Sequence, residues 1–201
     1  MRKLIITCIF IITAVLITIL FLNSYNKSSK LGNNHIKEIE DFINIDSYKA
    51  KVSVIVKSNK NENRYEIEQE VNGDYEYEKF TSPEELKGVT ITYKDRIQTI
   101  KNSKLNASKI YEEHEKVSSN MLFLTDFLKE FREIRNEENA TTKIYENNDE
   151  IILEIQTNSV YSSTKKLHID KKTMKPKSME IENYNKETRV YILYNEIEFN
   201  I

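Results

Sequence analysis

The sequence predicts an α+β fold, in which a curved antiparallel sheet of about ten strands forms a half-barrel around one main helix. Apolar and polar residues alternate in short segments that recur about every dozen residues, as in a meander of strands. One segment in the middle of the chain instead repeats its apolar residues with the period of a helix. The sheet has one apolar face that must be covered, and a single substantial helix is the simplest cover.

Near the start of the chain, nineteen consecutive residues carry no charge, Leu4 to Leu22. A helix of that length is about 28 Å long, which matches a bilayer core of about 30 Å. The only alanine in this run is Ala14, in its middle, so no small-residue cleavage site is visible. We therefore predict a transmembrane signal anchor at residues 1–25, a polar linker at 26–34 and one domain at 35–201. We expect the N-terminus in the cytoplasm and the domain on the extracytoplasmic side, because a long domain after a first span is usually exported.

Two helices are predicted from the 3.6-residue spacing of apolar side chains. Ile36, Ile39, Phe42 and Ile43 share one face, which predicts a short N-terminal helix at the start of the domain. The main helix is predicted within residues 118–136, with Ser118 or Ser119 as its N-cap. Its apolar face carries Met121, Leu124, Phe127, Leu128, Phe131 and Ile134.

The first and last strands carry the clearest patterns. Residues 48–57 and 65–71 alternate in polarity, and a hairpin between them would set the lysines of one strand across from the glutamates of the other. This pattern is typical of a solvated outer face. In the final run, the apolar residues shift from even positions, ending at Tyr194, to odd positions, beginning at Ile197. The shift predicts a β-bulge near Asn195.

Several function classes are disfavoured by composition. Three glycines are too few for the phosphate-binding loops, and the single cysteine, Cys8, lies in the apolar run. The three histidines stand alone in the sequence, and His168 is expected on a strand, facing solvent. With 30 basic and 32 acidic residues there is no large field of one sign to attract nucleic acid. We therefore predict a protein that is not an enzyme and that binds no cofactor, metal ion or nucleic acid.

Two features are candidates for binding. The last strand has an apolar stripe on its outer face, Tyr191 and Leu193, and further tyrosines lie nearby, Tyr161 and Tyr184. Exposed aromatic residues are enriched at protein interfaces. The other candidate is an apolar cavity lined by Phe123, Phe127 and Phe131, although a packed core explains these residues more simply. The long last strand also offers homodimer formation by strand exchange or edge pairing as an alternative.

The C-terminal part resembles the LolA/LolB-type lipoprotein-carrier superfamily. A strand with the pattern Leu167, Ile169, Asp170 leads through a turn with Pro176 into two further strands, and the patterning fits over residues 36–201. Within that superfamily the sequence is similar to the clostridial germination lipoprotein GerS and its relatives. The resemblance implies a curved sheet around a helix and a non-enzymatic protein of the forespore intermembrane space. It also implies a partner, a cortex N-acetylmuramoyl-L-alanine amidase that the protein binds and supports during spore formation and germination.

The resemblance leaves a second function open, a LolA-like carrier or sensor of an acyl chain or lipoprotein. The anchor also departs from that of a lipoprotein. Cys8 follows Thr7 near the start of the apolar run, whereas the cysteine of a lipobox stands at its far end. We therefore expect a transmembrane helix to replace the lipid as the membrane anchor.

Overall fold

The computed structural model describes residues 33–113, 122–136, 141–147, 149–156 and 163–199. Within these ranges the chain forms two helices, α1 (Asn33–Ile43) and α2 (Leu124–Arg135), and one sheet of eleven strands. In chain order the strands are β1 (Ser47–Lys57), β2 (Glu62–Asn72), β3 (Tyr75–Ser82), β4 (Val89–Lys94), β5 (Ile97–Asn102), β6 (Ala107–Tyr111), β7 (Thr142–Asn147), β8 (Glu150–Gln156), β9 (Thr164–Asp170), β10 (Pro176–Glu182) and β11 (Thr188–Phe199).

The sheet is antiparallel throughout, with the strand order β6-β5-β4-β3-β2-β1-β11-β10-β9-β8-β7. Every pair joins strands that are consecutive in the chain, except that β1 lies beside β11. The first and last strands therefore meet in the middle of an open, curved sheet. The predicted α+β fold and antiparallel meander are confirmed.

The predicted strand number, about ten, is one too few, because the sequence pattern does not predict β6. All five residues of β6 are exposed. A strand with neither face buried has no alternation of polar and apolar residues, so periodicity cannot detect it. β4, β5 and β6 contribute no side chain to the main core cluster of the described residues, which draws on both helices and on β1, β2 and β8 to β11.

Helix α1 forms where the apolar spacing predicts it. Ile39, Phe42 and Ile43 are buried against the sheet. At the C-terminal end, the Asn44 side chain donates a hydrogen bond of 2.8 Å to the Glu40 carbonyl. The Ile43 carbonyl accepts one from Arg132 of α2. These side chains satisfy carbonyl groups that have no partner within a helix end.

Helix α2 begins later than predicted. Its first residue is Leu124 and its N-cap is Phe123, whose side chain makes no capping hydrogen bond. The predicted caps, Ser118 and Ser119, are therefore wrong, and both residues lie outside the described ranges. Leu124, Phe127, Leu128 and Phe131 are buried, as the helical spacing predicts.

The register between β1 and β11 contains the predicted bulge. Lys51 is opposite Glu196 and Val52 is opposite Tyr194, so Asn195 has no counterpart on β1. The extra residue keeps both Tyr194 and Ile197 on the core side, where each is buried.

Among the helices of the described ranges, none combines the length and apolar character needed to cross a bilayer. The predicted anchor, residues 1–25, lies outside these ranges.

Candidate protein-binding surface

The predicted apolar stripe lies on the face of the sheet opposite the helices. Tyr191 pairs with Ile55 of β1, and Leu193 pairs with Ser53 of the same strand. The neighbouring residues of β11, Ile192 and Tyr194, point into the core. Leu193 is 40% exposed, while Tyr191 and Ile55 are half-buried. We call Ile55, Tyr191 and Leu193 the outer β11 surface.

Polar residues surround the outer β11 surface. Asn195 donates a hydrogen bond of 2.8 Å to the Ser53 hydroxyl, and that hydroxyl donates in turn to the Glu66 carboxylate at 2.8 and 2.9 Å. On the other side, Glu180 of β10 is opposite Tyr191. An apolar centre within a polar rim is the usual anatomy of a protein interface.

Beyond β10 the same face is covered by paired charges. Lys166 contacts Glu182 at 2.6 Å, and Lys143 contacts Glu154 at 3.4 Å. The Tyr145 hydroxyl donates to Glu154 at 3.2 Å, and burial together with this carboxylate raises the pKa of Tyr145 to about 12. Paired charged side chains therefore cover this region, whereas apolar side chains form the outer β11 surface.

His168 lies on this outer face, as predicted, but it is not freely solvated. Its side chain is 19% exposed, and its Nδ1 is 3.0 Å from the Glu150 carboxylate. Lys177 contacts the other oxygen of Glu150 at 2.6 Å. The hydrogen bonds from Lys177 and His168 lower the pKa of Glu150. Across the ranges that the structure describes, no three His, Cys, Asp or Glu side chains are grouped as a metal site.

The three phenylalanines of the predicted cavity are buried core residues. Phe127 and Phe131 are fully buried, and their rings stack with centroids 6.2 Å apart. Phe123 is 7% exposed. All three belong to the cluster that packs α2 against the sheet.

An apolar cleft that was not predicted lies at one end of the sheet. It has a volume of about 590 Å³ and lies between the end of α1, the β9–β10 turn and the end of β11. Its apolar lining residues are Phe42, Ile45, Met174 and Phe199. Phe42 and Phe199 contact each other edge to face, with centroids 5.9 Å apart. These residues come from distant parts of the sequence, so no local pattern could have identified the cleft.

The family assignment rests on the whole sequence. A family model described as "YdcC: Sporulation protein YdcC-like" matches residues 2–201. The chain belongs to this family. No curated protein sequence matches it.

Several solved structures are similar to this YdcC-like protein. A chain in the structure of the CwlD amidase from Clostridioides difficile in complex with the GerS lipoprotein is 23% identical. The match covers 87% of this chain and 99% of that one, with a TM-score of 0.52. An uncharacterised conserved protein from Thermus thermophilus is 10% identical over 82% of this chain and 86% of that one, also with a TM-score of 0.52. A LolA superfamily protein from Nitrosomonas europaea is 13% identical over 86% and 95%, with a TM-score of 0.41. The first of these structures confirms the predicted resemblance at the level of the fold.

The two tyrosines predicted to lie near the stripe have different outcomes. Tyr184 is 79% exposed in the turn between β10 and β11 of the YdcC-like protein. It therefore lies at the end of the sheet and not on the outer β11 surface. Tyr161 lies outside the described residues. The sequence pattern does not identify Ile55, which completes the surface, because only the pairing of β1 with β11 places it beside Tyr191.

Proposed function

We propose that this YdcC-like protein is a non-enzymatic protein of spore formation or germination that binds and supports a cortex N-acetylmuramoyl-L-alanine amidase. Residues 1–25 anchor it in the membrane, with the domain on the extracytoplasmic side. The sporulation family supports the cellular setting. A structure of the same fold, described as an amidase in complex with a lipoprotein, supports the class of partner.

The observation that carries this proposal is the outer β11 surface. It combines a 40% exposed leucine with a tyrosine and an isoleucine on adjacent strands in the middle of the sheet. Both strands are held on both sides by neighbours, so the surface is presented on a rigid scaffold. A rigid apolar patch loses little conformational freedom when it binds a partner.

The test is binding between the full chain, purified in detergent, and the purified cortex amidase of the same organism, measured by biolayer interferometry. The variants Leu193→Asp and Tyr191→Ala should each weaken binding about tenfold or more, because central aromatic and apolar contacts dominate interface energies. Leu105→Asp is the matched control. Leu105 is 74% exposed in the β5–β6 turn, far along the sheet from β11.

The experiment has three distinct outcomes. Loss of binding in the β11 variants, with binding retained in Leu105→Asp and unchanged melting curves, supports the proposal. If the unmodified chain captures no cortex amidase, the partner is wrong. If Leu105→Asp weakens binding as much as Leu193→Asp does, the surface is wrong.

A carrier or sensor of an acyl chain or lipoprotein is the second candidate. The apolar cleft of about 590 Å³ favours it, since ligand pockets commonly have volumes of about 300–1,000 Å³. Native mass spectrometry of the purified full chain should then detect a bound lipid. Met174→Trp would fill the cleft and remove the lipid, whereas Leu105→Trp would not. A spectrum without any bound lipid would argue against a carrier.

A further inference from the structure

Two hairpin turns lie side by side at one end of the sheet. β1 and β11 are paired up to Val56 and Val190, so the turn after β1 and the turn before β11 emerge next to each other. Between them is an open groove with a volume of about 1070 Å³. We call it the two-hairpin groove. Its lining comes from residues 57–61 of one turn and from Asn183, Tyr184, Asn185 and Arg189 of the other.

Both turns are held by internal hydrogen bonds. The Ser58 hydroxyl accepts a hydrogen bond of 3.0 Å from the Asn61 N–H, and the Asn61 carbonyl accepts one of 2.8 Å from the Ser58 N–H. In the second turn, the Asn183 side-chain oxygen accepts from the N–H groups of Asn185 and Glu187, each at 3.0 Å. The backbone of each turn is therefore organised before any ligand binds.

The side chains that remain available have a distinctive chemistry. The side-chain amides of Asn59, Asn61 and Asn185 make no hydrogen bond to any described residue. The Lys60 ammonium group forms no ion pair within the same ranges. Beside them, Tyr184 exposes 79% of its surface. Residues 57–62 and 183–189 together contain four basic and two acidic side chains, in a chain with a formal net charge of -2.

We infer that the two-hairpin groove binds an anionic glycan. The flat ring of Tyr184 offers an apolar platform for the C–H face of a sugar ring. The asparagine amides each carry donors and an acceptor, which match the hydroxyl and acetamido groups of sugars. Lys60 supplies positive charge for a carboxylate on the glycan, whereas Arg189 is already paired with Glu187 in the same turn.

Two other ligand classes fit the groove less well. A membrane surface is recognised by several apolar and aromatic side chains together with cations, and the groove lining contains one aromatic ring and no aliphatic side chain. Binding of a nucleic acid needs a larger excess of positive charge than the four basic and two acidic side chains of these turns provide, and the chain as a whole is acidic.

The test uses the full chain in detergent and isothermal titration calorimetry with two soluble disaccharides. One probe is N-acetylglucosaminyl-N-acetylmuramic acid, which carries a carboxylate, and the other is neutral N,N′-diacetylchitobiose. We expect saturable binding of the acidic sugar, at least about fivefold tighter than that of the neutral one, because only the former can pair with Lys60. Tyr184→Ala should weaken binding of both sugars about tenfold, and Lys60→Gln should remove the preference for the acidic sugar.

Tyr111→Ala is the matched control, since Tyr111 is also an exposed tyrosine but lies on β6, an edge strand of the sheet, five strands away from β1. It should leave binding unchanged. The inference is overturned if neither sugar binds, if both bind equally, or if Tyr184→Ala has no greater effect than Tyr111→Ala. It is also overturned if phosphatidylglycerol vesicles bind the protein through Tyr184 and Lys60 and the sugars do not bind. No amidase is present in this experiment, so its result is independent of the proposed amidase partnership.

Discussion

The hydroxyl group of Tyr48 on β1 accepts a hydrogen bond of 3.0 Å from the backbone N–H of Leu124, the first residue of α2. The N-cap residue Phe123 has no side-chain acceptor, so a strand residue far away in the sequence satisfies a donor at this helix end. The position of α2 relative to the sheet is thereby fixed at its N-terminal end.

A buried polar chain continues from this contact. The Tyr48 hydroxyl donates to the Gln69 side chain at 3.1 Å, and the Gln69 amide donates to Glu78 at 3.0 Å and to the Leu122 carbonyl at 3.3 Å. Tyr48 is fully buried, and Gln69 is 2% exposed. Burial raises the pKa of Tyr48 well above its ordinary value. Each polar group in this chain depends on the next for its hydrogen bond.

The first prediction is that Tyr48→Phe destabilises the domain by about 1–3 kcal/mol, because the Leu124 N–H and the Gln69 oxygen each lose a partner in the core. Urea denaturation followed by circular dichroism measures the change. Tyr194→Phe is the control, since the Tyr194 hydroxyl is buried and has no hydrogen-bond partner among the described residues. Removing it should leave the stability unchanged or raise it. A larger loss in Tyr194→Phe than in Tyr48→Phe would contradict this account.

The Tyr48 contact also shows where sequence reasoning reaches its limit in the fold. The alternation of β1 and β2 correctly places Tyr48 and Gln69 on the core face. Capping rules predict a nearby serine as the cap of α2, because these rules consider only neighbours in the sequence. The actual acceptor is 76 residues away. Such a contact follows from the strand pairing and from the packing of α2, which the sequence pattern does not contain.

The candidate sites show the same limit. Tyr191 and Leu193 could be predicted as an outward stripe, because they alternate along β11 with Ile192 and Tyr194, which face the core. The apolar cleft at Met174 and the groove beside Tyr184 could not be predicted, since each is lined by segments that only the folded sheet brings together.

The second prediction concerns an ion pair between β9 and α2. Lys165 contacts Glu130 at 2.6 Å, and their side chains are 6% and 18% exposed. Lys165→Met should destabilise the domain by about 3 kcal/mol, because the Glu130 carboxylate then stays in the interface without this cation. The free energy of unfolding from urea titrations measures the effect.

The double variant Lys165→Met with Glu130→Leu tests the cause. Removing both charges should restore most of the lost stability, since two apolar side chains pack where the ion pair was. A double variant that is less stable than Lys165→Met alone would mean that the loss reflects packing and not the unpaired carboxylate.

The third prediction concerns Asp170, which ends β9 and organises the following turn. Its Oδ1 accepts hydrogen bonds from the Thr173 N–H at 2.9 Å, the Thr173 hydroxyl at 2.9 Å and the Lys172 N–H at 3.1 Å. The hydrogen bonds from Thr173 lower the pKa of Asp170. A carboxyl group whose pKa is lower in the folded state than in the unfolded state stabilises the fold at pH values above its unfolded pKa, which is about 3.9. That contribution is lost as the pH falls through the folded pKa.

Asp170→Asn should therefore lower the melting temperature at pH 7, and the gap between the two proteins should shrink as the pH falls toward 2 and Asp170 takes up its proton. Melting curves between pH 2 and pH 7 measure the gap between the two proteins. Asp95→Asn is the control, because Asp95 also lies in a turn and is exposed but forms no ion pair with a described residue. A gap for Asp170→Asn that stays constant with pH would mean that the charge of Asp170 is not involved.

The fourth prediction concerns the bulge at Asn195. Deletion of Asn195 would leave Tyr194, Ile197 and Phe199 on the core side and Glu196 and Glu198 outside, now in regular alternation. The core contacts of β11 then remain, while the local bend and the hydrogen bond from Asn195 to Ser53 are lost. We expect a folded protein that is destabilised by about 1–2 kcal/mol, measured by urea denaturation.

Deletion of Leu193 is the matched comparison, because it also removes one residue from β11 and can also be absorbed by the bulge. In that case Asn195 takes the core position opposite Val52, and Tyr194 turns outward. The core loses an aromatic ring and gains an amide, so the expected loss exceeds about 3 kcal/mol. If the two deletions destabilise the domain equally, the bulge does not serve to keep both halves of β11 in phase with the core.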